Sequence, residues 1–364
     1  MDVTDNQDMP TLRLRVNAED LTGSEAEHAL ETAAAILRDG GTVAIPTETV
    51  YGLGANALDE SAVAKIFAAK ERPGWDPLIV HVADEAMLSK LVTGVSDEAA
   101  ALMEVFWPGP LTLLLPRSEA VADAVTAGRA LVGVRMPAHA VALELIRRAS
   151  VPVAAPSANR FGRTSPTTAE HVLEDLDGRI DAIVDAGATG IGVESTVVDA
   201  SVSPMIVYRP GAVTLEQIRA VAGAAEMFVE SSRPQDDQGR TGLPSPGVGL
   251  RHYAPRGRLV LVDVPEGLDP VVCLSREAER HPVQMVGFMR PVNAGARPAE
   301  MQASAKVYDW GEWTDAAQLA RRLFAGLREL DVQGCEVILC PVPKGAGIGD
   351  AIRDRLRKAA WLES

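Results

Sequence analysis

The stretch Pro46-Thr47-Glu48-Thr49-Val50-Tyr51-Gly52-Leu53-Gly54 follows the apolar run Val43-Ala44-Ile45. That run reads as a buried strand. If the chain stays extended beyond it, side chains alternate between faces. Thr47, Thr49 and Tyr51 then share one side, with Glu48 and Val50 opposite. Three hydroxyls closed by Gly52-Leu53-Gly54 make a polar floor where backbone can approach a ligand. The same residues also suit an ordinary Thr-rich strand running into a turn. The flanking sequence has to weigh one reading against the other.

Upstream, residues 11–16 alternate and predict an edge strand, and Ser24 with Glu27 predicts a capping box for a helix to about Arg38. Downstream, Asp59 opens a helix whose inward stripe carries Val63, Ile66, Phe67 and Lys70. A lysine there suits the negative helix end, with its stem packed and its head in water. Arg72 before Pro73 ends that helix. Residues 77–82 read as a buried strand carrying His81, and a lone core histidine is usually structural. Val132-Gly133-Val134 delivers Arg135 at a strand end, and residues 138–149 form a helix. Residues 151–155 form another strand, so Ser157 and Asn159 lie at its end, where open α/β sheets place ligands. Thr167 and Thr168 cap a helix to about Leu176, strands follow at 181–185, 196–199 and 205–208, and Arg209 again follows a strand end.

With 364 residues, 47% of them apolar, the chain is long enough for two domains. The net charge of −15 argues against a surface that holds RNA or DNA tightly. Cys273, Cys335 and Cys340 form no CxxC pair, which disfavours structural zinc and a disulfide framework. The first ten residues lack a signal-peptide pattern, and no apolar run approaches the ~20 residues that span a membrane. The expectation is a soluble cytoplasmic protein without a membrane partner.

After a helix at 216–224, the composition shifts between Glu226 and Pro255 to a polar, turn-rich linker. A second α/β unit begins at residues 258–263, with strand candidates at 271–274, 283–288 and 336–340. Thr314 is placed to cap a helix to about Leu330, and Gly349-Asp350 opens a last one to Trp361. Gly345-Ala346-Gly347-Ile348-Gly349 matches neither phosphate-loop spacing and reads as a helix-entry turn.

Pro46-Thr47-x-Thr49-x-Tyr51-Gly52-Leu53, Lys70-x-Arg72-Pro73 and Pro77-Leu78-Ile79-Val80-His81 together resemble the YrdC-like domain of L-threonylcarbamoyladenylate synthases. The resemblance continues through residues 107–112, Val134-Arg135-Met136-Pro137-x-His139, residues 155–159, Ser165-Pro166-Thr167, residues 194–199 and Arg209-Pro210-Gly211. It implies an α/β fold: a twisted open mixed sheet forming a YrdC-like catalytic domain at 24–215, after an N-terminal segment at 1–23. A linker at 216–257 and a smaller Rossmann-like domain at 258–364 complete it. Ser245–Pro255 is similar to the linker motif that reaches over the active site in two-domain members. Val248-Gly249-Leu250 stands where the family usually has Met-Lys-Tyr, which leaves Arg251 as the alternative cation.

The resemblance further implies that L-threonine, bicarbonate and ATP, with magnesium, give threonylcarbamoyl-AMP and pyrophosphate. A separate tRNA threonylcarbamoyltransferase complex consumes the product. Such an adenylyl transfer needs positioning and charge stabilisation rather than a side-chain nucleophile. On matched positions, Lys70, Arg72 and Arg209 face the phosphates as catalytic groups. Asp76, Ser157, Asn159, Ser165, Thr167, His252 and Tyr253 hold nucleotide. Thr47, Thr49, Tyr51, His81, Arg135, Ser157, Ser195 and Thr196 hold threonine or its carbamate, with Arg135 suited to a carboxylate. Asp76 stands where many relatives carry asparagine. No protein-held metal site is expected. A carbamoyl-phosphate-using carbamoyltransferase, an RNA-binding module and a nucleotide sensor are the other readings; the charge and the unclustered cysteines disfavour the first two.

Overall fold

The computed structural model describes residues 10–229, 245, 252–282, 285–292 and 305–360. The first domain begins with β1 (Leu12–Arg15), α1 (Ser24–Arg38), β2 (Val43–Pro46), β3 (Tyr51–Asn56), α2 (Glu60–Lys70) and β4 (Ile79–His81). It continues through α3 (Glu85–Leu91), α4 (Asp97–Phe106), β5 (Leu111–Pro116), α5 (Asp123–Thr126), β6 (Leu131–Arg135), α6 (Ala140–Ala149) and β7 (Val153–Ala154). It closes with α7 (Ala169–Leu176), β8 (Ala182–Asp185), β9 (Thr196–Asp199), β10 (Met205–Arg209), α8 (Leu215–Ala222) and β11 (Ala225–Met227). The second domain comprises β12 (Arg258–Val262), α9 (Pro270–Ala278), β13 (Val286–Val292), β14 (Lys306–Glu312), α10 (Ala316–Val332), β15 (Val337–Pro341) and α11 (Ile348–Ala359).

Eleven strands form one mixed sheet in the order β1-β8-β2-β3-β7-β4-β6-β5-β9-β10-β11. The open, mixed α/β architecture agrees with the expected fold class. β4 runs parallel to β6, with His81 opposite Arg135, and β5 runs parallel to β9. The ends of β4, β6 and β9 therefore bring His81, Arg135 and Thr196 to neighbouring strand ends. Helix α1 buries Leu30, Ala33, Ala34 and Leu37 against the sheet, a stripe at helical spacing.

The second sheet has four parallel strands in the order β12-β15-β13-β14. Its core residues Leu319, Leu323, Phe324 and Ile352 pack in one cluster with Val50 and Val193 of the first domain and with Tyr253. One apolar core thus crosses the domain boundary. Polar contacts reinforce it: Arg328 on α10 donates to the Thr164 carbonyl and the Asp175 carboxylate, each at 2.6 Å.

Several local expectations are corrected. The first-domain limits of 24 and 215 omit β1 and β11, both hydrogen-bonded into the large sheet. The expected capping box at Ser24 is not formed; Gly23 is the N-cap and has no side chain to offer. Residues 271–274 are helical rather than extended, because Asp269 caps the Val271 amide and Pro270 takes the first helical position. Asp315, not Thr314, caps α10. Strand β14 falls outside the strands expected from sequence.

Candidate functional site

The chain does not stay extended through the opening stretch. The Thr47 hydroxyl accepts from the Thr49 and Val50 amides at 3.2 and 3.3 Å and donates to the Val50 carbonyl at 2.6 Å. A side chain that substitutes for the ladder ends a strand. Residues 47–50 therefore turn, and β3 returns antiparallel to β2 with Tyr51 opposite Pro46. Thr47 and Thr49 still meet, hydroxyl to hydroxyl at 2.8 Å. Tyr51 leaves them, its hydroxyl donating to the Gly187 carbonyl at 2.7 Å.

The turn forms one wall of a cleft. Of the candidate residues, the cleft is lined by Thr47, Thr49, Arg72, His81, Arg135, Ser157, Ser195, Arg209, His252 and Tyr253. Residues as far apart in the chain as Thr47 and Tyr253 thus converge, and sheet order places His81 and Arg135 at adjoining strand ends. Gly52 also lines it; a Cβ there would meet that of Ala155 at 3.2 Å, so glycine keeps the floor open.

Three buried guanidinium groups face this space. Arg72 donates to the Asp76 and Pro77 carbonyls at 3.2 and 2.8 Å and pairs with the Asp76 carboxylate at 3.0 Å. Arg135 donates to the Gly109 carbonyl and the Thr49 hydroxyl, each at 3.0 Å, and pairs with Glu48 at 2.5 Å. Arg209 donates to the Ser195 carbonyl and hydroxyl at 3.0 and 3.1 Å. Burial pushes the Arg209 guanidinium below its ordinary value, as expected of a cation held dry. Burial also pushes His81 down to about 3, with the Arg135 charge adding to it, so this imidazole is neutral. Its Nδ1 has no hydrogen-bond partner among the described residues, nor have His252 Nδ1 or the Tyr253 hydroxyl. Unpaired polar atoms around a cleft are what a polar ligand would satisfy.

The remaining candidates stand behind the walls. Lys70 does not snorkel; it is buried, and its ammonium donates to the Ser157 and Asn159 carbonyls. Burial, then the neighbouring Arg72 charge, pushes its pKa well down. Its place is to shape the Ser157–Asn159 turn, because the inward stripe of α2 ends against that turn. Asn159 donates to the Arg160 and Arg163 carbonyls, Ser165 to Glu194, and Thr196 to the Val213 carbonyl. Thr167 meets His171 at 3.3 Å. Asp76 is buried, and burial raises its carboxyl against the opposing pull of Arg72.

His252 and Tyr253 also line the cleft. The His252 amide donates to the Lys358 carbonyl at 3.3 Å and the Ala254 amide to the Gly162 carbonyl at 2.8 Å. Gly249 and Arg251 lie outside the described residues. Sequence reasoning gave no role to Glu48 and Glu194, although both sit inside the quoted motifs. It missed Arg355, for which no local signal exists.

Comparison with known proteins follows this geometry. Residues 35–211 match the Sua5_yciO_yrdC family, described as telomere recombination, and residues 213–361 match the threonylcarbamoyl-AMP synthase C-terminal domain. The chain is 42% identical over 339 residues to a threonylcarbamoyl-AMP synthase of Pyrococcus abyssi, covering 92% of this chain and 94% of that protein. It is 43% identical over 331 residues to the Bacillus subtilis threonylcarbamoyl-AMP synthase, covering 90% and 92%. The crystal structure of P. abyssi Sua5 complexed with L-threonine superposes with a TM-score of 0.83 at 39% identity, covering 96% of this chain and 97% of that one. Two matched domains and relatives aligned over nearly their whole length establish that this chain belongs to the threonylcarbamoyl-AMP synthase family.

Proposed function

We propose that the chain forms threonylcarbamoyl-AMP and pyrophosphate from L-threonine, bicarbonate and ATP, for later transfer to tRNA by a separate enzyme. The observation that carries this reading is the convergence of Arg72, Arg135 and Arg209 with the hydroxyls of Thr49, Ser157 and Ser195 on one cleft. The threonine amine combines with bicarbonate, releasing water, to give a carbamate. A carbamate oxygen then attacks the α-phosphorus, and the bond to the β-phosphate oxygen breaks as pyrophosphate leaves. Every reacting group gathers or sheds charge on oxygen, and buried guanidinium groups stabilise such charge strongly.

Arg72 and Arg209 stand nearest the nucleotide's phosphates in this reading, and Ser157 binds at the junction of the two substrates. Arg135, Thr49, Ser195 and the neutral His81 receive threonine and its carbamate. Lys70, Asn159, Ser165, Thr167 and Thr196 act by holding the loops that present these groups. His252 and Tyr253 exclude water from a carbamate that water would destroy. Among the described residues no three His, Cys, Asp or Glu gather as a metal cage. Magnesium fits as an ion held chiefly by triphosphate oxygens and water. When bound there it neutralises phosphate charge. The net charge of −15 suits a protein that hands its product on rather than holding tRNA.

The test is pyrophosphate release from ATP and magnesium. Release that requires both L-threonine and bicarbonate is expected. Release indifferent to threonine would remove this reading in favour of a carbamoyl-phosphate-using or nucleotide-sensing role.

A further inference from the structure

Arg355, on α11 of the second domain, is fully buried and touches none of the cleft space. Its guanidinium nevertheless reaches the two backbone segments that present Ser195 and Arg209. Nε donates to the Glu194 carboxylate at 2.7 Å, Nη2 to the Glu194 carbonyl at 3.4 Å and Nη1 to the Pro210 carbonyl at 3.0 Å. Nη1 also donates to Asp354 at 2.6 Å, and the guanidinium carbon lies 5.4 Å from the centre of the Tyr253 ring. The other Glu194 oxygen accepts from Ser165. One side chain thus grips the residue before Ser195, the residue after Arg209 and Tyr253.

Stability alone does not call for this arrangement. A buried ion pair must repay desolvation, and apolar residues of similar volume commonly serve stability as well. What a planar fork provides is simultaneous fixation of several acceptors in one geometry. The helix that carries it is itself anchored: Ala351, Ile352, Leu356 and Ala359 are buried in the core that crosses the domain boundary.

We propose that Arg355 is a positioning residue of the synthase reaction, through which the second domain sets the placement of Ser195 and Arg209 in the first. This rests on the function proposed above. It gives the second domain a part in substrate binding without a contact to substrate.

The test compares the full-length wild type with Arg355→Ala, Arg355→Lys and the double variant Glu194→Gln/Arg355→Met. The double variant removes both charges of the Glu194–Arg355 pair while Asp354 keeps Lys358, and so tests the role should Arg355→Ala fold poorly. KM for threonine and ATP, kcat per folded molecule and ATP affinity by calorimetry are measured, with and without guanidinium ion at non-denaturing concentration. Arg355→Ala and the double variant are expected to raise KM and weaken ATP by roughly tenfold or more, the size of a misplaced binding group. Arg355→Lys should not restore them, since a point charge cannot serve both segments. Free guanidinium should recover part of the Arg355→Ala loss and none of the double variant's. Normal KM and ATP affinity in the folded fraction of the variants would overturn the proposal. A wild type that shows no threonine-dependent pyrophosphate release would instead defeat the synthase reading, and the ATP affinities would then decide the positioning role by themselves.

Discussion

Gly192 packs directly against the backbone of α10 in the second domain. Its φ of +84° lies in the left-handed region, and its amide donates to the Thr49 carbonyl at 3.0 Å. A Cβ added there would meet the α10 backbone, with the Ala320 and Arg321 carbonyl oxygens at 2.6 and 2.7 Å and the Arg321 Cα closer still. Gly192→Ala therefore carries two separate costs. The positive φ costs an alanine roughly 1–2 kcal/mol. Forcing helix backbone away from a packed loop adds about 1–3 kcal/mol. Gly187 supplies the control, because its φ is +83° and a Cβ there meets nothing within 4 Å. Gly187→Ala should show the first cost only. Urea unfolding of both variants beside the wild type measures the difference, and KM for threonine reads whether the turn bearing Thr49 has moved. Gly192→Ala is expected to be less stable than Gly187→Ala by about 1–3 kcal/mol and to raise KM, whereas Gly187→Ala leaves KM alone. Equal destabilisation of the two would refute the idea that α10 is seated on this loop.

Two further predictions follow from the arginines and the histidine of the cleft. Arg72→Ala should lower turnover more than roughly tenfold if the guanidinium stabilises phosphate charge; near-normal turnover in a steady-state assay would remove that role. His81 has a folded-state pKa of about 3 against an ordinary 6.5, so below pH 6.5 the unfolded chain takes up a proton that the folded chain refuses. Its effect on stability is constant above that pH and grows more unfavourable with acid, by about 1.4 kcal/mol per pH unit, until pH nears the folded value. Denaturant unfolding should show His81→Gln losing about 2 kcal/mol less than the wild type between pH 7 and pH 5, and parallel losses would contradict a buried neutral imidazole.

How far the site could be read from sequence depended on the range of the interactions that build it. Arg135 and Arg209 were legible because a short apolar run ending in an arginine says both that a strand exists and what stands at its end. Asp59 and Thr168 were legible as caps for the same local reason, and each accepts amide hydrogen bonds of its own helix. The Thr47–Tyr51 alternation failed because it assumed that backbone partners come from a ladder, whereas the Thr47 hydroxyl takes the Thr49 and Val50 amides itself. Lys70 was legible on the inward stripe of α2, but the carbonyls its ammonium meets were not. Which carbonyls meet an ammonium depends on a loop 87 residues away. The pairing of Glu194 with Arg355 spans 161 positions and crosses domains, so no periodicity or motif reports it.

The segment from His252 to Ala254 is stitched at one end to Lys358 in the second domain and at the other to Gly162 in the first. A strap fastened to two bodies behaves differently from a flap hinged on one. A flap can swing clear while its support stays still. A strap answers to the distance between its anchors: if the domains part, it must pull taut and shed one stitch, and if they close, it must buckle towards the cleft. A relative movement of the domains would therefore bear directly on the His252 and Tyr253 rings that line the cleft. The interface between the domains and this wall of the cleft are one mechanical variable.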